Sequence, residues 1–105
     1  MKSSEILLRG REILLEHGHT KFALADAHGV CARGALLLAV GANWQSTPAW
    51  KDYLQLGQPE NYLYRYLQLE HRWDIVDWNN APERTQQDVL DAFYEAALLA
   101  KEDNN

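Results

Sequence analysis

Cys31 is the single cysteine of this 105-residue chain, and His28 precedes it by three positions. A cysteine attacks substrates as its thiolate, and a nearby histidine can accept the thiol proton. Cys31 also lies near the predicted start of a helix, where partial positive charge lowers a thiol pKa. A small Cys/His-dependent enzyme, with His71 as a further base, is therefore one hypothesis. A lone cysteine beside alanine and leucine is, however, more often a small buried hydrophobic residue, so we predict that the chain has no catalytic residues.

Histidine and cysteine are also the ligands that zinc prefers, and four of them occur close together in the sequence: His17, His19, His28 and Cys31. The paired Cys-x-x-Cys of many zinc sites is absent. His17 falls in the last turn of a predicted helix, where a cation interacts favourably with the helix dipole. We therefore predict no metal site and no cofactor, and a metal-binding domain built on these residues is an alternative.

Acidic residues form the clearest predicted surface feature. Turning 100° per residue, Asp88, Asp91, Glu95 and Glu102 fall within about 60° of one another on the last predicted helix. Leu98 and Leu99 flank this stripe, and an apolar pair beside acids is typical of a partner-binding helix. An ordinary solvated face is the alternative interpretation. We predict that the partner-binding residues are Asp88, Asp91, Glu95, Leu98, Leu99 and Glu102. Glu70, Asp74 and Asp77 could form a carboxylate pair for acid/base work or a hard-metal site, but solvated surface charge is the default interpretation.

The net charge of −5 is unevenly distributed. Residues 1–50 carry five Lys/Arg and four Asp/Glu, whereas residues 51–105 carry five Lys/Arg and eleven Asp/Glu. An acidic half favours partners with a basic surface and disfavours direct nucleic-acid binding, which needs many cationic side chains. No Walker-type or dinucleotide-binding glycine loop occurs in the sequence.

The spacing of apolar residues predicts a mainly α, compact single domain over residues 1–105, with a frayed tail at 101–105. About five short helices are expected, at residues 4–17, 32–40, 47–57, 59–73 and from 85 onwards. Gly10 is placed on the packed face of the first helix. Residues 22–31 contain an Asp-x-x-Gly turn signal, so they form either a small β-hairpin or an irregular loop. We expect most aromatic residues to be core or half-buried and one or two, such as Trp44 or Tyr64, to be exposed.

The stretch from Ile75 to Asp88 is dense in special residues, and we interpret it as a corner between two helices. Thr85 and Asp88 resemble a capping box, which begins a helix. Asn79 and Asn80 are predicted to form a turn, and Arg84 is expected to bind backbone carbonyls or Asp77.

Two motifs of the chain, Cys31-Ala-Arg-Gly-Ala-Leu36 and Trp78-Asn-Asn-Ala-Pro-Glu-Arg-Thr85, resemble those of a small uncharacterised family of actinobacteria and their phages. Its patterns are C-x-x-G-A-L and W-N-[DN]-A-P-x-R-T, with Asp common where this chain has Asn80. The resemblance implies no activity, catalytic residue or cofactor. It favours a phage or mobile-element origin, and small acidic phage proteins often bind a host protein.

The function that follows from these features is a small acidic protein-binding module, in its narrower form an inhibitor of a host or defence protein. We expect it to be cytoplasmic, because one cysteine allows no internal disulfide. The longest small and apolar run, residues 34–42, is far too short to span a membrane.

Overall fold

The computed structural model of the chain describes residues 1–42, 50–71 and 73–105. Within these residues it confirms a mainly α fold with one small hairpin. The helices are α1 (Ser3–His17), α2 (Ala32–Ala39), α3 (Trp50–Gln55), α4 (Gly57–Tyr66), α5 (Trp73–Asn80) and α6 (Gln86–Glu102). Strands β1 (Ala25–Asp26) and β2 (Gly29–Val30) pair antiparallel. Trp44 and the helix start predicted at Thr47 lie outside the described residues.

The core lies between α1 and α6, with α2 and α4 packed against them. The two long helices run antiparallel: the Gln86 side chain donates to the Leu14 carbonyl at one end, and the Ser4 amide donates to the Asn105 carbonyl at the other. Leu14 and Phe93 are fully buried. Burying each such side chain contributes about 1.5–3 kcal/mol to folding, so this packing holds α6 in place and fixes which of its faces stays exposed.

Gly10 lies on the buried face of α1 and allows Phe93 of α6 to approach closely. A Cβ at Gly10 would lie 2.6 Å from Phe93 Cε2. This contact confirms the placement of Gly10 on the packed face. Although glycine weakens a helix, here it removes the methyl group that would separate α1 from α6.

The helix predicted for residues 59–73 is divided in the structure, and this prediction was wrong. Helix α4 ends at Tyr66, and Gln68 adopts φ +58°, the left-handed conformation that commonly ends a helix. The Leu69 amide donates to the Tyr64 carbonyl at 2.7 Å, which satisfies an end carbonyl. Glycine is the usual residue at such a helix end, and this chain has glutamine there, so the sequence contains no signal that the helix ends. After this break, helix α5 begins at Trp73.

A second correction concerns Asn79 and Asn80, which were predicted in a turn and are the last two residues of α5. Tertiary hydrogen bonds to both side chains, described below, favour this helical placement over the local turn preference of asparagine.

The segment 101–105, for which the sequence predicted fraying, carries several tertiary contacts. Helix α6 continues to Glu102, and the Tyr62 hydroxyl donates to Asp103 Oδ2 at 2.9 Å. The Asn105 side chain donates to Tyr62 Oη and Gln58 Oε1. These bonds join the end of α6 to α4. Among the described residues, no helix combines the length and the apolar character that crossing a membrane requires.

Substituting Gly10→Ala tests the close approach of α1 to α6. We expect a loss of about 1–3 kcal/mol in the free energy of unfolding, because the added methyl displaces the buried Phe93 ring. Urea denaturation followed by circular dichroism measures the change. Gly57→Ala is the matched control, since a Cβ at Gly57 meets nothing within 4 Å. A Gly10→Ala variant as stable as the control would contradict the packing described here.

Candidate functional site

The side-chain amide of Asn79 connects the two sequence motifs. Asn79 is only 1% exposed, and its Oδ1 accepts from the Ala32 amide at 3.0 Å. Its Nδ2 donates to the Thr20 carbonyl and to Asn80 Oδ1, both at 3.1 Å. Since a backbone amide can only donate, the orientation of the Asn79 side chain is fixed. The amide therefore attaches the end of α5 to the first turn of α2 and to the loop before the hairpin.

His19 takes part in the same network. Its Nε2 lies 2.8 Å from Asn79 Oδ1. Because Oδ1 is an acceptor, His19 Nε2 must carry the hydrogen. This histidine is thus a hydrogen-bond donor within the fold, a role that the sequence did not suggest.

The loop at residues 20–24 is held against the end of α5 by two side chains. Asn80 Oδ1 accepts from the Phe22 amide at 2.9 Å. Lys21 Nζ donates to the carbonyls of Ala81 and Pro82 at 2.6 and 3.2 Å. The bonds hold Phe22 at φ +67°, and the residue is 82% exposed.

Arg84 stabilises the corner between α5 and α6. Its Nε donates to the Trp78 carbonyl at 2.9 Å, and its guanidinium lies 4.2 Å from the centroid of the Trp78 ring. The expectation that Arg84 binds a backbone carbonyl is confirmed. The same side chain lies 3.8 Å from Asp88 Oδ2.

Asp88 is the second residue of the capping box that begins α6. The predicted capping box is confirmed: the Asp88 amide donates to Thr85 Oγ1 at 3.2 Å, and the Thr85 amide donates to Asp88 Oδ2 at 3.0 Å. The bond from the Thr85 amide, helped by the nearby Arg84 charge, lowers the pKa of Asp88 below its usual value. This carboxylate is therefore occupied in starting α6.

Cys31 is the N-cap of α2, as Thr85 is of α6. Its Sγ accepts from the Gly34 amide at 3.3 Å, and the residue is buried. Burial raises the pKa of the Cys31 thiol, so the nucleophilic thiolate is disfavoured at neutral pH. His28 is exposed in the hairpin turn, where its amide donates to Asp26 Oδ1. This environment favours a structural role for Cys31.

The four residues of the metal-binding alternative do not converge. Within the described residues, no three His, Cys, Asp or Glu side chains form a group able to hold a metal ion. The physical reason is that Cys31 caps α2 and His19 bonds to Asn79, so both are committed elsewhere. His71 is exposed and lies 3.7 Å from Asp74.

The predicted partner-binding residues divide between two roles. Asp91, Leu98 and Glu102 are exposed and Glu95 is half-buried, all on the outer side of α6. Asp88 belongs to the capping box that begins α6, and Leu99 packs against the core. Tyr94, which sequence reasoning left out of this surface, is 48% exposed, and Leu98 is 37% exposed. We define the α6 face as Asp91, Tyr94, Glu95, Leu98 and Glu102.

A cleft of about 470 Å³ opens where the loop 20–24, α3 and α5 meet. Residues of both motifs line it, among them Cys31 and Arg33 from the first and Asn79 and Asn80 from the second. Arg33 is buried and lies 2.7 Å from Glu60, so a neutralised ion pair stands in its wall. No sequence pattern predicted this pair, because its partners are 27 positions apart.

The sequence profile of a family of unknown function, DUF6197, matches residues 1–99. The chain belongs to this family. The match includes both motifs, the hairpin and all but the end of α6, so the DUF6197 profile extends over nearly the whole fold described here. No curated protein and no solved structure matches the chain.

Replacing Asn79 with Ala tests whether its amide holds α5 against α2. We expect the free energy of unfolding to fall by about 3 kcal/mol or more, since each buried donor or acceptor left unpaired costs about 1–3 kcal/mol. Urea denaturation gives the value. Gln87→Ala, which removes an exposed amide from α6, should change it by less than about 0.5 kcal/mol. Equal stability of the two variants would show that the Asn79 network is dispensable.

Alkylation tests the state of Cys31. In the folded protein we expect iodoacetamide to react roughly a hundredfold or more slowly than with a cysteine in an unstructured peptide, because the thiol is buried and protonated. Mass spectrometry of the labelled chain measures the rate, and labelling in urea is the positive control. Fast labelling of the native protein would instead support the Cys/His-dependent enzyme.

Proposed function

We propose that this chain is a non-enzymatic protein-binding domain, and that the α6 face contacts a basic surface of its partner. The observation that carries the proposal is the exposure of Leu98 and Tyr94 among the acids of α6. Asp91 lies seven residues before Leu98 and Glu102 four after it, so the three share one side of the helix.

The charges of the α6 face support a basic partner. Among the described residues, Asp91, Glu95 and Glu102 form no ion pair with a cationic side chain. Asp91 accepts one hydrogen bond, from Gln87 Nε2 at 2.8 Å. Lys101 is the cationic residue nearest to these acids in the sequence. One cation does not balance three acids, so the face remains acidic. Unneutralised acids steer a basic partner towards the surface and select against acidic ones.

The apolar side chains of the α6 face supply binding free energy that its exposed charges do not. Exposed ion pairs contribute about 0–1 kcal/mol each, whereas buried aromatic and large apolar anchors dominate interface energies. Tyr94 and Leu98 are the residues of the α6 face able to act as such anchors. Substituting either residue should leave the packing of the core intact, because each is more than one-third exposed.

A narrower form of the proposal is an inhibitor of a host or defence protein, carried by a phage or another mobile element. It is supported only by the resemblance of the two motifs to small actinobacterial and phage proteins. Its test is functional: the purified domain, added in equimolar amount to the captured partner, should reduce the activity of that partner.

Charge reversal tests the α6 face. The full chain is immobilised and used to capture proteins from an extract of the source organism, in parallel with Asp91→Lys/Glu95→Lys. The double variant should retain the partner at least about tenfold less, since two attractions of about 1 kcal/mol each become repulsions. Retention by the wild type should also fall as salt is raised.

The matched control is Glu12→Lys/Glu16→Lys, which makes the same charge change at exposed positions of α1. A partner of the α6 face is retained by this control and is lost from the α6 variant. Leu98→Ala should weaken retention without altering charge. If both double variants retain the same proteins as the wild type, the α6 face is not the contact surface.

A further inference from the structure

We propose that the cleft between the loop 20–24, α3 and α5 binds a small, uncharged, planar molecule that carries a hydrogen-bond acceptor. The proposal concerns a different set of residues from the α6 face and does not depend on it. A volume of about 470 Å³ is within the 300–1,000 Å³ range that is typical of small-molecule sites.

The walls of the cleft have the composition of a ligand site. Leu24, Tyr53, Ile75 and Val76 give it an apolar lining, and Asn80 adds a polar group. Most of a small ligand's binding energy comes from such apolar walls, while a few polar groups set its orientation.

Phe22 provides the first specific argument, for a planar ligand. It lines the cleft, the residue is 82% exposed, and its backbone is in the left-handed region at φ +67°. An aromatic residue is uncommon in this conformation. The hydrogen bonds of Asn80 and Lys21 hold the loop in it. Strain retained by dedicated bonds at a cleft is a feature of functional sites, and an exposed ring there can stack on a planar ligand.

Asn80 provides the second argument, for an acceptor on the ligand. Its Oδ1 accepts from both the Phe22 amide and Asn79 Nδ2, which fixes its orientation. Its Nδ2 has no acceptor among the residues that the structure describes, and the side chain lines the cleft. A carbonyl or ring nitrogen of a ligand would complete its hydrogen bonding.

The ion pair in the wall provides the third argument, for a ligand without charge. Arg33 Nε lies 2.7 Å from Glu60 Oε1, and both residues are buried. The guanidinium charge is balanced within the fold, so the cleft offers an anionic ligand no net attraction. An anion placed there would lose its hydration without compensation.

The test is a titration of the ¹⁵N-labelled full chain with 2-naphthamide, a planar amide, followed by ¹H–¹⁵N NMR. We expect chemical-shift changes to concentrate at residues 22–24, 31, 76 and 80. The carboxylate 2-naphthoate, of the same shape but negatively charged, should bind at least about tenfold more weakly.

Three variants relate binding to the proposed groups. Phe22→Gly removes the ring, and glycine accepts positive φ without strain, so its melting temperature should equal or exceed that of the wild type while affinity for 2-naphthamide falls about tenfold. Phe22→Tyr should restore binding. Asn80→Asp keeps the acceptor for the Phe22 amide but removes the donor, and should also weaken binding about tenfold.

Tyr94→Ala, on the α6 face, is the control and should bind 2-naphthamide as the wild type does. The proposal is overturned if no shift changes appear at the cleft up to the solubility limit of 2-naphthamide. It is also overturned if the changes map to other residues, if Phe22→Gly binds with unchanged affinity, or if 2-naphthoate binds as tightly as 2-naphthamide. Because none of these outcomes involves partner capture, failure here leaves the proposed function standing, and the reverse also holds.

Discussion

The way in which α5, α2 and the loop 20–24 are joined depends on the buried amide of Asn79. Three short segments meet around it: the end of α5, the first turn of α2 and the loop that precedes the hairpin. An amide offers donors and an acceptor in one rigid plane, so it can satisfy backbone groups of two segments at once. With that bond network in place, Asn80 can hold Phe22, and Arg84 can fix the direction in which α6 leaves the corner.

Many of the distinctive residues of the two motifs have structural roles. Cys31 caps α2, and Gly34 leaves room for the Leu24 carbonyl, which a Cβ would overlap. Arg84 and Asp88 join the end of α5 to the start of α6. Side chains with several internal partners have little capacity left for a ligand. The groups that remain available lie elsewhere: the acids and apolar side chains of the α6 face, and the Phe22 ring with the Asn80 amide at the cleft. Both proposals rest on these groups.

Prediction from the sequence succeeded where the signal was local. Helix α6, its capping box and the packed position of Gly10 followed from periodicity and cap chemistry, which depend on neighbouring residues. It failed at two helix ends: at one the sequence carries no stop signal, and at the other distant contacts overrode a local preference. The left-handed conformation of Gln68 interrupts the single helix that the apolar stripe predicted for residues 59–73. The hydrogen bonds of Asn79 keep Asn79 and Asn80 in a helix, although asparagine pairs favour turns. For the candidate site, the acidic stripe could be found from spacing alone. Whether Leu98 or Leu99 was exposed could not, because they are neighbours whose burial depends on what packs beside α6.

The sequence by itself determined the fold class, the acidic character of residues 51–105 and the face of α6 that carries its acids, because composition and helical periodicity are properties of the chain. Only the tertiary structure decided which chemically capable side chains remain available. It buried the Cys31 thiol and paired Arg33 with Glu60, and among the described residues it brings no three His, Cys, Asp or Glu side chains together around a metal site. It also formed the cleft beside Phe22 from segments distant in sequence. Burial and convergence arise from the packing of separate elements, and no local pattern encodes them.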